Sequence, residues 1–190
     1  MNDLYLEGEE FTAARLKVKG WQKADYENCA FKTCDLANID LSRSSFVDCE
    51  FLDCNLSNAK ILETSFQDCY FKNCKMLGLR FDSCNTFSLS MQFQNCNLSE
   101  SVFFGLDLQK SNFNACELGH CDFGDAKLNN ISLKDSNLKG CIWGNTHLDK
   151  ANLQGVQNLE LNPQENHIQG IKLQAESLIG LLREFQIELC

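Results

Sequence analysis

Residues 44–76 read SSFVDCEFLDCNLSNAKILETSFQDCYFKNCKM, and they repeat one pattern every five residues. A large apolar side chain stands at Phe46 and Phe51, and a small one stands two residues before each, at Ser44 and Cys49. The whole arrangement returns 20 positions later, where TSFQDCYFKNCKM repeats the spacing of SSFVDCEFLDCNL. The segment therefore combines a five-residue period with a longer period of 20 residues.

The five-residue period continues on both sides of this stretch. Fifteen successive positions carry a large apolar residue from Phe11 to Phe81, and thirteen more do so from Phe93 to Leu153. Two extra residues between Cys84 and Phe93 separate the two series. A period of five matches neither the period of an α-helix, about 3.6 residues, nor the period of a strand, about two. It indicates a solenoid of stacked coils.

The small position commonly holds Ala, Ser, Thr or Cys, and ten of the twelve cysteines occupy it, with Cys84 as a candidate eleventh. This rhythm resembles the pentapeptide-repeat family, whose motif is roughly A(D/N)Lxx. The closest matches within residues 9–155 are CDLAN, CNLSN, SNFNA, CDFGD, SNLKG and ANLQG. In that family four pentapeptides form one square coil, with the large and small residues inside. The resemblance implies an all-β fold, a right-handed quadrilateral parallel β-helix.

The same resemblance divides the chain into three parts. We expect an N-terminal cap at residues 1–10, a pentapeptide-repeat β-helix at 11–155 with a frame slip near 84–92, and a C-terminal cap at 156–190. Apolar residues at helical spacing predict a short amphipathic helix at 175–186: Leu178, Leu181, Leu182 and Phe185. This helix would cover the exposed edge of the last coil, and likeness to the family adds a second role as the contact of a homodimer.

Composition narrows the class of partner. The chain has 26 acidic and 17 basic residues, and a net charge of −9 disfavours binding to nucleic acid or to anionic lipid. Its first residues, MNDLYLEGEE, have neither the basic segment nor the apolar run of a signal peptide. The sequence also contains no apolar stretch long enough for a membrane span. We therefore expect a soluble cytoplasmic protein without a membrane partner. In that compartment the cysteines are expected as buried, reduced thiols.

No catalytic motif is found in the sequence. CELGHC places Cys116, His120 and Cys121 close together, as a metal site would, but the repeat frame turns both cysteines inward and His120 outward. His147 takes an outward position and His167 lies in the tail, and neither belongs to a nucleophile–base arrangement. A core packed with Leu and Phe also leaves no interior pocket for a substrate. We expect no enzymatic activity, no cofactor, no metal and no small-molecule substrate.

Acidic residues are unevenly spread over the outward positions. Two neighbouring sides lack Lys and Arg over three coils each, at residues 24–28, 44–48 and 64–68 on one and at 101–105, 121–125 and 141–145 on the other. The predicted partner-binding residues lie on these sides or at the adjoining corner: Asp25, Glu27, Asp48, Asp68, Asp107, Asp122 and Asp125. They serve either to keep the rod soluble or to form a surface for a basic partner.

Within the family the chain is most similar to the topoisomerase-protecting branch, the Qnr quinolone-resistance proteins and especially the microcin-immunity protein McbG. The likeness is carried by the chain length, by CNTFSLSMQF at the frame slip and by the tail NLELNPQENHIQGIKLQAESLIGLLREF. Such proteins are dimeric rods that resemble duplex DNA in width, charge and twist. The resemblance implies a DNA-mimicking binder of DNA gyrase or topoisomerase IV that protects the enzyme from a quinolone or a peptide toxin. The long projecting loops of many Qnr proteins are absent.

Two other functions remain open at this stage. The first is a non-catalytic scaffold or regulatory adaptor that docks proteins on the flat sides of the solenoid. The second is an enzyme without a recognisable motif. Binding to a topoisomerase through charge would weaken steeply with salt, whereas apolar docking would not.

Overall fold

Parallel strands stacked into square coils form the body of the molecule in the computed structural model, which describes residues 4–185. The strands are β1 (Tyr5–Glu7), β2 (Glu10–Thr12), β3 (Asp25–Glu27), β4 (Ala30–Lys32), β5 (Ser45–Val47), β6 (Glu50–Leu52), β7 (Ser65–Gln67), β8 (Cys69–Lys72), β9 (Met91–Gln94), β10 (Asn112–Asn114), β11 (Asn152–Leu153) and β12 (Lys172–Leu173). The helices are α1 (Ala13–Lys19) and α2 (Ile179–Leu182), with 3-10 segments at Phe81–Ser83, Ala175–Leu178 and Arg183–Phe185.

Four columns of paired residues define the four sides of the rod. Side 1 is the sheet β1-β3-β5-β7, continued by Asn85 and by the column Asp107, Lys127, His147 and His167. Side 2 is the sheet β2-β4-β6-β8-β9-β10, continued by Ser132, β11 and β12. Side 3 is the column Asp35, Asn55, Lys75, Asn97, Glu117, Asn137 and Gln157. Side 4 contains Asp40, Lys60, Arg80, Val102, Asp122 and Ile142. The predicted right-handed quadrilateral parallel β-helix is confirmed.

The corners explain why the repeat is five residues long. The residue two positions after each large inward residue generally has a positive φ, between 50° at Asp48 and 64° at Glu100 among the non-glycine residues. Asn, Asp and Gly adopt this left-handed conformation at lower cost than other residues. Their frequency at this position turns the chain at the end of each side, so that the next inward residue faces the core again.

Stacked rings and small side chains fill the interior. Phe51 lies between Phe31 and Phe71, with ring centroids 4.6 and 4.8 Å apart and nearly parallel planes. These separations match the spacing of neighbouring strands, about 4.8 Å, so the rings of this side stack from Phe11 to Phe113. At the small position the Cys54 thiol donates to the Phe31 carbonyl of the preceding coil at 3.3 Å. Each coil thus buries its inward face against the next.

Side 1 accommodates the frame slip. Asn85 pairs with Ser65, 20 residues earlier, whereas β9 pairs with β8 at a separation of 22 residues. Thr86 takes the position of a large inward residue but is exposed, and Leu89, 5% exposed, fills the core in its place. Phe87 points outward and is 79% exposed. The two extra residues therefore form a short bulge on one side, and the register of the other three sides is preserved.

The first strands of the solenoid lie within the predicted N-terminal cap. The segment expected as a cap at residues 1–10 already contains β1 and the first residue of β2, and these strands pair with β3 and β4; residues 1–3 lie outside the described part. Leu16 belongs to α1 rather than to a repeat. The Thr12 hydroxyl accepts a hydrogen bond from the Arg15 amide at 3.3 Å, an N-cap that favours a helix over a further turn of the solenoid.

The last strands of the solenoid likewise lie within the predicted C-terminal cap. The cap expected at 156–190 begins with solenoid structure, because bridges join Gln157 and His167 to the coil before and β12 pairs with β11. The helix expected at 175–186 is present as three consecutive helical segments from Ala175 to Phe185, and residues 186–190 lie outside the described part. None of the described helices is long and apolar enough to cross a membrane.

Candidate protein-binding surface

Five carboxylates lie along the N-terminal part of side 1, and we call them the acidic face: Glu7, Asp25, Glu27, Asp48 and Asp68. Strands β1, β3, β5 and β7 hold them in register, with Tyr5 beside Asp25 and Glu7 beside Glu27. Every coil of this sheet contributes at least one carboxylate, and no Lys or Arg occupies its outward positions. The result is a flat surface of one sign of charge.

Local structure fixes part of the acidic face. The Tyr5 hydroxyl donates to Glu27 Oε2 at 2.8 Å, and this bond, together with the neighbouring carboxylates, raises the pKa of Tyr5 well above its usual range. Asp48 and Asp68 occupy corner positions with φ of 50° and are exposed. Both charges therefore stand at the edge between sides 1 and 2, where a partner meets them first.

The other three predicted residues form a separate group nearer the C-terminus. Asp107 lies on side 1 beyond the frame slip, while Asp122 and Asp125 belong to side 4 and its corner. Asp122 accepts a hydrogen bond from the Gly124 amide at 2.9 Å, and Asp125 accepts one from Asn145 Nδ2 at 2.8 Å. The structure thus places the seven predicted acids on two sides and in two groups at different heights along the rod.

A basic residue borders the second group. Arg80 precedes Val102 and Asp122 in the column of side 4, and its guanidinium pairs with Asp82 at 2.6 Å. Asp82, and more weakly Asp122, raise the pKa of Arg80. The field at Asp122 is therefore partly offset by a cation.

Side 4 also carries an apolar patch that the charge pattern did not reveal: Val102, Phe104 and Ile142. Phe104 is 49% exposed and Ile142 is 57% exposed. The Phe104 ring lies over Gly124, whose added Cβ would come within 3.1 Å of it. The repeat frame already places these residues at outward positions, so a count of outward apolar residues is the signal that would have found them.

The predicted dimer residues are divided between two environments. Leu181 is buried against the last coil, and Leu182 is partly buried, whereas Leu178 and Phe185 are 48% and 45% exposed. The helical segment is fastened by the Ser177 hydroxyl, which donates to the Val156 carbonyl at 3.1 Å, and by the pair Arg183–Glu160. Leu181 therefore acts as a cap, and only Leu178 and Phe185 of the four present a sizeable surface.

The cysteines lie as the repeat frame places them. All eleven between residues 4 and 185 carry free thiols, and ten of them are buried. Burial raises the pKa of Cys49 to about 12, which keeps this thiol protonated and unreactive at neutral pH. Cys121 donates to the Leu98 carbonyl at 3.1 Å, so its sulfur faces the core rather than His120. Within the described residues no three metal-binding side chains converge.

Two family models match the sequence of this chain. The family model described as "Pentapeptide repeat region" matches residues 44–123, and "Pentapeptide repeats (8 copies)" matches residues 131–157, together more than half of the chain. No curated protein matches the sequence significantly.

Several solved structures match the chain at low sequence identity. QnrB1, described as a plasmid-mediated fluoroquinolone resistance protein, is 21% identical over 98% of both chains, with a TM-score of 0.49. HetL from the cyanobacterium Nostoc sp. strain PCC 7120, described as involved in heterocyst differentiation regulation, is 16% identical over 90% of this chain and 86% of its own, with a TM-score of 0.37. Rfr23 from the cyanobacterium Cyanothece 51142 is 20% identical over 77% and 88%, with a TM-score of 0.26.

Proposed function

The chain belongs to the pentapeptide-repeat family, and from this premise we propose that it binds a type II topoisomerase in the place of DNA and protects that enzyme from a quinolone or a peptide toxin. The partner is DNA gyrase or topoisomerase IV, as the likeness of the frame-slip stretch and the tail to the topoisomerase-protecting branch implies. The protein itself is non-catalytic in this proposal and acts by occupying a basic surface.

The acidic face is the observation that supports the proposal. Its coils repeat at about 4.8 Å and each adds one or two carboxylates, while one strand of duplex DNA adds a phosphate about every 3.4 Å along the axis. The two linear densities of negative charge are therefore of the same order. A basic groove shaped for DNA attracts such a surface, and the attraction speeds association.

A homodimer would extend the mimicry. About eight coils give a rod of ~38 Å, and two rods joined at their C-terminal ends would span ~75 Å, close to the length of ~22 base pairs. Leu178 and Phe185 supply exposed apolar area at that end of the chain. Two-fold contact between identical ends closes the assembly at two chains and prevents open-ended stacking.

The decisive experiment measures gyrase supercoiling and quinolone-stabilised DNA cleavage with the full chain and with matched charge variants. The test variant carries Asp25→Asn, Glu27→Gln, Asp48→Asn and Asp68→Asn. The control variant also loses four charges, by Glu50→Gln, Asp53→Asn, Glu100→Gln and Asp135→Asn on sides 2 and 3. We expect the test variant to lose protection and gyrase binding by about tenfold or more, because its field is removed where a basic groove would meet it. The control variant should stay within about threefold.

Equal loss in the two variants would show that net charge alone matters, and full protection by a folded test variant would remove the acidic face from the function. Raising the salt concentration adds an independent readout. Binding of the unaltered protein should weaken strongly with salt, and the test variant should have a shallower dependence.

The apolar patch on side 4 favours a second candidate, an adaptor that docks another protein. Exposed aromatic and aliphatic side chains at the centre of an interface carry much of the binding energy in protein complexes. In this case the double variant Phe104→Ser and Ile142→Ser would abolish partner binding, and salt would have little influence. If the same variant protects gyrase normally, the patch has no part in topoisomerase binding.

A further inference from the structure

Two histidines stand one above the other on the C-terminal part of side 1. His147 and His167 pair across consecutive coils in a parallel bridge, and their ring centroids are 4.1 Å apart with planes 14° from parallel. The backbone register sets this proximity, because paired residues on adjacent coils project from the same side at the strand spacing of about 4.8 Å. The pairing is therefore a fixed feature of the ladder and does not depend on a flexible loop.

The ring nitrogens of the pair are available to a ligand. Within residues 4–185 neither imidazole makes a side-chain hydrogen bond or an ion pair, and the two rings stack on each other. His167 is exposed, so its ring has room to turn towards that of His147. Neutral imidazole is a preferred ligand of divalent copper, nickel and zinc.

We propose that His147 and His167 form a two-histidine site for a divalent transition-metal ion of the Ni²⁺ and Cu²⁺ class, which clamps the last two coils together. One nitrogen of each ring would bind the ion, and water would fill the remaining positions, because no third metal-binding side chain converges there among the described residues. A structural zinc site normally takes four protein ligands, whereas tetragonal Cu²⁺ and Ni²⁺ accept a partial set of nitrogen ligands.

Charged neighbours modulate the site. Lys127 is the next residue down the column, and its cation opposes binding of a second positive charge. Asp149, two residues after His147, favours binding, and its carboxylate is held by the Gln169 amide at 2.8 Å and by Asn129 Nδ2 at 3.3 Å. Lys150 and Glu165 flank the pair with one charge of each sign. The site therefore lies in a nearly balanced field.

A metal bound to both rings would stabilise the C-terminal end of the rod. The two histidines come into contact only when the last coil is folded, so the ion binds the native state in preference to the unfolded state. This end also carries the helical segment that covers the solenoid. Metal binding would thus hold the last coil in place independently of any partner.

The test is a titration of tag-free, metal-free full-length protein with Ni²⁺, followed by calorimetry and by thermal unfolding. Ni²⁺ is the probe because Cu²⁺ also oxidises thiols, and every variant is made on a Cys190→Ser background. We expect one ion per chain, a higher Tm with the metal, and affinity at least about tenfold lower in His147→Asn and in His167→Asn. His120→Asn is the matched control, since His120 is an outward histidine on another side, and it should leave affinity unchanged.

Three further measurements keep the proposal open to refutation even where a variant is destabilised. Binding should weaken on acidification, because protons compete for imidazole, and Lys127→Gln should strengthen it several-fold. The electron paramagnetic resonance spectrum of bound Cu²⁺ should show two nitrogen donors. Loss of binding in His120→Asn, unchanged binding in both pair variants, or a spectrum of oxygen donors alone would overturn the site.

Discussion

Side 1 contains two stretches with the same backbone path and different chemistry. In the N-terminal stretch the inward residues Tyr26, Phe46 and Phe66 stack at 5.1 and 5.4 Å, and every outward charge is acidic. In the C-terminal stretch the inward residues are three leucines and Ile168, and the pairing is reduced to single bridges. The outward column there is mixed: Asp107, Lys127, His147 and His167. The frame slip separates the two. Inward and corner residues maintain the coil in both stretches, so the outward positions are free to vary with function.

The largest difference between the stretches should appear in their cores. Phe46→Ala should lower the free energy of unfolding by about 3 to 5 kcal/mol, since the cavity lies between stacked rings that cannot collapse. Leu128→Ala, at the equivalent inward position beyond the slip, should cost about 2 to 3 kcal/mol. Both residues are fully buried, so a difference in solvent exposure does not affect the comparison of the two variants. Denaturant unfolding measures both losses, and equal values would show that aromatic stacking adds nothing to the N-terminal stretch.

The frame slip between the two stretches can be removed by a deletion of two residues. Deleting Leu89 and Ser90 restores the 20-residue register but places Thr86 at an inward position, with loss of the buried Leu89 side chain. We expect a loss of about 2 to 4 kcal/mol in the free energy of unfolding. Adding Thr86→Leu to the deleted chain should recover most of it, because a large apolar residue then fills the core. Failure of this rescue would mean that the bulge, and not only its leucine, is needed between the two stretches.

Two glycines near the C-terminal end, Gly180 and Gly144, allow a matched test of how closely the helical segment packs on the last coil. A Cβ on Gly180 would lie 1.8 Å from the Leu159 carbonyl oxygen, whereas one on Gly144 would meet nothing within 4 Å. Gly180→Ala should therefore lift the helical segment off the last coil and cost about 1 to 3 kcal/mol, and Gly144→Ala should be nearly neutral. Thermal unfolding measures the loss, and light scattering of the same samples reports self-association. A Gly180→Ala protein with unchanged Tm would argue against close packing of this cap.

The smallest effect concerns the stability of the acidic face. Asp48→Asn combined with Asp68→Asn should change the free energy of unfolding by less than about 1 kcal/mol, because exposed charges contribute little and Asn also tolerates the corner conformation. Asp107→Asn is the counterpart in the C-terminal stretch and should be equally mild. A loss of several kcal/mol in the double variant would assign these carboxylates to folding rather than to recognition, and would end the comparison on which the proposed function rests.

Inward positions were the most predictable part of the fold. The five-residue period identified residues such as Phe51 and Leu118 as core, and both are fully buried. The N-terminal turn was less predictable, because Leu16 and Trp21 fit the five-residue period while Thr12 caps a helix, Ala13–Lys19, that contains Leu16. In this segment the local N-cap stabilises a helix, and the five-residue repeat is interrupted.

The candidate site was only partly predictable. The sequence placed Asp48 and Asp68 on one side and Asp122 and Asp125 on the neighbouring side, but it did not give their relative heights along the rod. The two groups lie at different heights along the rod, and Arg80 and the apolar patch border the second. Height along the axis depends on how many coils separate two residues, so an acidic count per side does not reveal it.

The sequence by itself determined that this protein is a four-sided solenoid, because a period of five can bury its apolar residues only when coils stack. It also determined which residues face inward. The tertiary structure alone decided which outward residues meet: Tyr5 with Glu27, Phe104 with Gly124, and His147 with His167. These pairs are 20 or 22 residues apart, and their contact depends on the register between coils and on side-chain direction. Both are fixed only when neighbouring coils pack together.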